Sequence, residues 1–154
     1  MKRALLLLLL PLMACSKPSP LRQADCVVEL AIGGPPGAVL PEIGSKSGGH
    51  IFNIETGEEY EYDKFKEKFA LAPSQVIKEG NQLNYKSAII NGKWKLETKI
   101  HSSLDGSYIA YTKSFDLDLK TMKYEDRFVS SKYPEWAEWE SGTCKLVEPE
   151  IPEK

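Results

Sequence analysis

The chain has 154 residues, 42% hydrophobic, 10% aromatic and 27% charged, with a formal net charge of -2. Those values exclude a disordered chain, a collagen-like fibre and a multi-span membrane protein. Lysine plus arginine (20) nearly balances aspartate plus glutamate (22), which excludes the concentrated basic face of a nucleic-acid binder.

The first fourteen residues read as a secretory signal peptide. Lys2 and Arg3 start it, Ala4 to Leu10 form an apolar run, and Pro11 interrupts that run. The run is shorter than the about 20 residues that a membrane-spanning helix needs. Its end, Leu12-Met13-Ala14-Cys15, resembles the lipobox of bacterial lipoproteins, with a leucine three places before the cysteine and a small residue just before it. The resemblance covers the first fifteen residues. It implies cleavage before Cys15, a diacylglyceryl thioether on its sulfur and an N-acyl chain (palmitate or similar) on its amine. Two or more acyl chains anchor a protein stably where one does not. Ser16, in place of an aspartate, points by analogy to the outer membrane, with the domain facing the periplasm. Removing residues 1–14 leaves 18 basic against 22 acidic side chains, so the expected anchor is lipid rather than attraction to anionic headgroups.

With Cys15 lipidated, Cys26 and Cys144 remain, and in an oxidising compartment they most simply form one disulfide. A metal pair or a redox dithiol fits less well, because no histidine or further cysteine stands near either. Residues 15–25 hold Pro18 and Pro20 without apolar periodicity and read as the lipidated cysteine and a tether. Ten such residues reach at most about 35 Å. One domain is expected over 26–147, with a disordered Pro- and Glu-rich tail at 148–154.

Strands are expected at about 27–32, 51–54, 59–62 and 138–147. The spacing of Tyr62, Phe65 and Phe69 leaves a short helix open over 62–69. The segment 83–128 is the best determined. Asn91-Gly92 and Asp105-Gly106 each stand between alternating apolar residues, the strongest short-range hairpin signal. Two-residue turns pair Ile89 with Trp94, Ser87 with Leu96, Tyr85 with Thr98 and Leu83 with Ile100. They also pair Trp94 with Leu117, Leu96 with Phe115, Thr98 with Lys113 and Ile100 with Tyr111. Both hairpins then share one apolar face. The other face pairs Lys86 with Glu97, Lys95 with Asp116 and Lys93 with Asp118. A turn near Lys120-Thr121 would bring Met122, Tyr124 and Phe128 onto the apolar face. The expected fold is all-β with at most one short helix: a small antiparallel meander of seven to nine strands, barrel or sandwich, closed by a terminal disulfide.

Candidate sites emerge from this register. Asp116 and Asp118 share a strand face as a cation site requires, but each has a lysine opposite, so no metal is expected. His50, in a Gly-rich loop, and His101, on the solvent face, lack partners for a triad or zinc site and read as surface residues. The long loop 33–49 carries Val39, Leu40 and Ile43, which either meet a partner or shield a sheet edge. Lys113 is the misfit, a charge on the apolar face beside Thr98 and Tyr85. It either lines a pocket with them, meeting an anionic ligand head or pairing with Asp126, or snorkels at an open end of the sheet. Trp136 and Trp139 form an aromatic pair of the kind found at binding hot spots and in cores alike. Strand parity would expose one of them.

These observations lead to a lipid-anchored envelope lipoprotein acting as a non-enzymatic binding module with no cofactor. It would dock an envelope or extracellular protein, or neutralise an incoming enzyme or toxin. A small-ligand or lipid carrier with a pocket inside a β-barrel is the alternative.

Overall fold

The structure, a computed structural model, describes residues 19–78, 81–101 and 109–152. Cys15, the expected signal segment and the expected Asp105-Gly106 turn lie outside the described residues. The strands are β1 (Leu21–Gly33), β2 (Lys46–Asn53), β3 (Glu59–Asp63), β4 (Lys68–Leu71), β5 (Gln75–Lys78), β6 (Asn81–Ile90), β7 (Lys93–His101), β8 (Ile109–Asp118), β9 (Lys123–Ser130) and β10 (Glu138–Val147). A single turn of 3₁₀ helix, Pro134–Trp136, precedes β10. All ten strands form one antiparallel sheet in the order β4-β3-β2-β1-β10-β9-β8-β7-β6-β5. Every sheet neighbour is also a sequence neighbour except β1 and β10, which bring the two halves of the chain together. β4 and β5 are the edges, so the ladder is not closed.

The sheet is nonetheless strongly curled. Phe52 on β2 and Trp94 on β7 are five strands apart, about 24 Å in a flat sheet. Their rings stack at 4.3 Å. The arms also bond directly: Trp94 Nε1 donates to Gly57 O (2.9 Å) and Glu59 N to Ser87 Oγ (3.0 Å). Apolar alternation supplies the inner face, where Phe52, Trp94, Phe115, Leu117, Tyr124 and Val28 are fully buried. Burying that face is what holds the curl.

The expected hairpin registers are the observed ones. β6 and β7 pair from Leu83↔Ile100 to Ile90↔Lys93, and β7 and β8 from Lys93↔Asp118 to Ile100↔Tyr111, with a shift only at His101↔Ile109. Asn91 (φ 52°) and Gly92 (φ 76°) both take the left-handed conformation of the tight hairpin turn. The β8–β9 turn works without glycine. Asp118 Oδ1 accepts hydrogen bonds from the Lys120 and Thr121 amides, each 2.9 Å, and Met122 takes the left-handed position (φ 58°). Those amides hold the Asp118 carboxyl below its usual range.

Cys26 and Cys144 face each other directly across β1 and β10 and form the expected disulfide. The expected tether at 15–25 is too long, because β1 begins at Leu21 and Ala24 is fully buried. Its ladder with β10 runs on to Gln23↔Val147, beyond the disulfide. The C-terminal tail is also tied down, since Glu148 pairs with Arg22 (3.2 Å) and the Glu150 amide donates to Gln23 Oε1 (3.0 Å). The helix left open over 62–69 is a hairpin. Tyr62 pairs with Phe69 across β3 and β4, and Asp63 Oδ1 accepts from the Phe65 and Lys66 amides in the turn. Local turn bonding by Asp63 outcompetes the helical spacing of the aromatics.

Candidate functional site

Antiparallel alternation sorts the connections between two ends of the sheet. The chain enters β1 at the proximal end, which also carries the β2–β3, β6–β7 and β8–β9 turns and the exit from β10. The distal end carries the β1–β2 loop, residues 34–45, and the β9–β10 connection, residues 131–137.

Two irregularities shape this arrangement. The β1–β10 register shifts between Val28 and Leu30, leaving Glu29 as an extra residue that accepts a hydrogen bond from Thr143 Oγ1 (2.8 Å). Strict alternation from buried Val28 would send Leu30 and Ile32 inward. The bulge instead turns both outward, and Ile32 lies directly across from Trp139. A second shift, between Gln23 and Asp25 on the β1–β2 ladder, sets Gly49 and His50 together opposite Ala24, with Gly48 and Gly49 both at positive φ. It re-aims His50, whose loop-surface reading is thereby corrected. His50 is a β2 residue, 4.9 Å from the Phe115 ring, with Nδ1 3.0 Å from Glu59 Oε1.

Trp139 stands at the distal rim between two concavities. The outer groove, about 550 Å³, is lined by Trp139 and Ile32 with Arg127, Glu125, Asp116 and Ser114. Trp139 and Arg127 are direct cross-strand partners, as are Arg127 and Ser114. Asp116 is engaged by Lys95 at 2.5 Å. The inner cleft, about 470 Å³, lies on the concave face. Trp139, Phe128 and the loop residues Leu40 and Pro41 give it apolar walls. Its polar side chains are Lys113, Asp126, Glu138 and Glu140.

Lys113 Nζ lies 3.1 Å from Asp126 Oδ2, so of the alternatives for this lysine the pairing with Asp126 is the one that forms. Lys113 keeps 52% of its side chain exposed, whereas Asp126 keeps 11%. Asp126 Oδ1 is buried and accepts no hydrogen bond among the described residues. Glu140 is the cross-strand partner of Asp126 on β10, and its Oε1 accepts from Tyr124 OH (2.9 Å) and from Ser47 Oγ. Burial pushes the Asp126 carboxyl above its usual range; Lys113 draws it down and Glu140 pushes it up. Burial likewise raises the Tyr124 phenol.

The structure therefore brings Lys113, Leu40 and Trp139 together at one cleft. Thr98 is the β7 partner of Lys113 and Tyr85 the β6 partner of Thr98, but neither lines that cleft. Tyr85 instead faces a separate hollow beside Leu71 of β4 and residues 72–74 of the β4–β5 linker. Val39 is 98% exposed on the distal loop, and Trp136 stacks on Tyr133 at 4.1 Å in the 3₁₀ turn. Both tryptophans are partly exposed, because Trp136 is not on the strand whose parity would have separated it from Trp139. Glu138, Glu140 and Arg127 escaped sequence reasoning. The β9–β10 connection is a seven-residue segment without a two-residue turn signal, so the pairing of Asp126 with Glu140 had no counting rule behind it.

Comparison of the chain with family models, curated proteins and solved structures finds no match.

Proposed function

We propose that this protein is a lipid-anchored bacterial envelope lipoprotein, held at the outer membrane through Cys15, whose domain is a non-enzymatic module for docking another protein. The observation that carries the reading is the gathering of outward apolar and aromatic side chains at the distal end. Ile32, turned out together with Leu30 by the bulge, meets Trp139 and the Arg127 groove, and Val39, Ile43, Tyr133 and Trp136 are exposed in the two distal connections. Tryptophan, tyrosine and arginine around a concave patch have hot-spot composition. The patch lies at the end opposite the chain's approach from Cys15, so an anchored module would present it away from the bilayer.

A carrier reading has less support. The interior of the curl is filled by Phe52, Trp94, Phe115, Leu117 and Tyr124, and the remaining cleft is open. An anionic lipid head would also meet three carboxylates there against one lysine.

Residues 16–154 contain every described strand and both cysteines of the disulfide. That chain, used as bait against envelope and secreted fractions with crosslinking, should capture a stoichiometric protein. Capture should fall at least tenfold with Trp139→Ala or Ile32→Asp and stay unchanged with Ile90→Asp at the proximal end. Equal capture by all variants would sink the distal-end assignment. For the anchor, the membrane-extracted protein should begin at Cys15 with acyl mass attached, and Cys15→Ser should move it to the soluble fraction.

A further inference from the structure

We propose that the inner distal cleft is a receptor for one basic side chain, the guanidinium or ammonium group of a protein partner, inserted between Trp139 and the Asp126–Glu140 carboxylates. The inference rests on the docking reading above and names the chemistry of the partner.

Four observations carry it. First, the cleft is concave and about 470 Å³, with room for one long side chain, and Trp139, Phe128, Leu40 and Pro41 offer apolar surface for an aliphatic stem. Second, its charge is unbalanced, with Lys113 against Asp126, Glu138 and Glu140. Third, Asp126 and Glu140 are direct cross-strand partners on the concave face, and like charges so placed repel unless a cation intervenes. Fourth, the Asp126 side chain, 11% exposed, lines the cleft with Oδ2 on Lys113, while its buried Oδ1 has no hydrogen-bond partner among the described residues. A carboxyl with one oxygen unpaired depends all the more on a cation at the other, the place Lys113 now holds and a partner's cation would take.

The parts are also preorganised. Tyr124 OH and Ser47 Oγ fix Glu140 Oε1, and the disulfide holds β1 against β10 one strand away. Lys113, half exposed, can swing to solvent when a partner's cation arrives. A planar guanidinium would bridge two carboxylates and stack against Trp139, which makes arginine the better fit. A phosphate or carboxylate ligand would meet repulsion from three acids.

The test uses residues 16–154 with the disulfide formed, ¹⁵N-labelled, titrated with N-acetyl-arginine N-methylamide. The neutral probe is the citrulline analogue, which keeps the planar shape but lacks the charge and carries a carbonyl acceptor in place of one NH2 donor group. The arginine probe should shift the Trp139 indole signal and the amides of residues 126–128 and 138–140 with millimolar affinity. The citrulline probe should bind at least tenfold more weakly, and Asp126→Asn should weaken the arginine probe five- to tenfold. Lys113→Met, which removes the competing cation, should strengthen it. Spermidine tests the alternative source: binding tighter than the arginine probe by tenfold or more would reassign the cleft to free polyamines and overturn the protein-side-chain assignment. Equal binding of arginine and citrulline probes, or shifts confined to the outer groove, would overturn the cationic pocket itself. Neither result touches the capture experiment above, whose dependence on Ile32 and Trp139 stands or falls separately.

Discussion

Replacing Lys113 by methionine isolates the ion pair at the floor of the inner cleft. Methionine keeps most of the aliphatic stem and deletes the ammonium, so Asp126 stays 89% enclosed beside Glu140 and loses its cation. Removing one member of a fully buried pair costs about 3–5 kcal/mol, whereas fully exposed pairs contribute about 0–1 kcal/mol. Lys113 is 52% exposed, so solvent screens the pair, and the expected loss lies between those limits, about 1–2 kcal/mol at pH 8. The pH dependence is set by Asp126. Burial raises its native carboxyl above the unfolded value, so the native state holds that proton more tightly than the unfolded chain does. The stability associated with it is fully present below the unfolded carboxylate range and is lost as pH rises through the raised native one. Deleting Lys113 raises Asp126 further, so the variant should lose little at low pH and progressively more as pH increases. Urea midpoints followed by tryptophan fluorescence across pH 4–8 measure this for both single variants and the double variant. Asp126→Asn should be milder than Lys113→Met and should flatten the pH slope, and the double variant should cost less than the sum. A Lys113→Met penalty that is the same at pH 4 and pH 8, or strictly additive costs, would refute the pairing.

Three further outcomes are expected. Gly57→Ala places a Cβ 2.4 Å from Ile89 N and 2.7 Å from Ala88 C at a φ of +78°, and displaces the carbonyl that receives the Trp94 indole. It should cost about 3 kcal/mol or more, near 10 °C in melting temperature, and a shift under about 3 °C would contradict the close approach of the two arms. Removing the disulfide with Cys26→Ala and Cys144→Ala opens a closure of 118 residues, for which chain entropy predicts about 4–5 kcal/mol; an unchanged urea midpoint would deny it a stabilising role. Reversing Lys95 and Asp116 together should be nearly neutral, while either reversal alone should cost about 0.5–1 kcal/mol, and purely additive effects would break the register.

Much of the sheet was legible because its information is local. Asn91-Gly92 carries its own backbone geometry, and a two-residue turn leaves no freedom in the register of the strands it joins. The pairing of Trp94 with Ile89 and Leu117 could therefore be counted along the chain. Glu138–Val147 was legible as a strand for the same reason of alternation. The Lys113–Asp126 pair was within reach because the β8–β9 turn has few residues, although Met122 rather than glycine supplies its left-handed position.

The sequence by itself determined the β6–β9 meander, the faces of its strands and the likeness of Leu12 to Cys15 to a lipobox, each specified within a few neighbouring residues. The tertiary structure alone decided which strand lies beside which across long connections. It placed β1 between β2 and β10, set Glu140 opposite Asp126, turned Leu30 and Ile32 outward and drew His50 against Phe115. No local pattern encodes these placements. They result from burying one concave face at once, and a one-residue shift at a bulge exchanges inside for outside only once the neighbouring strand is known.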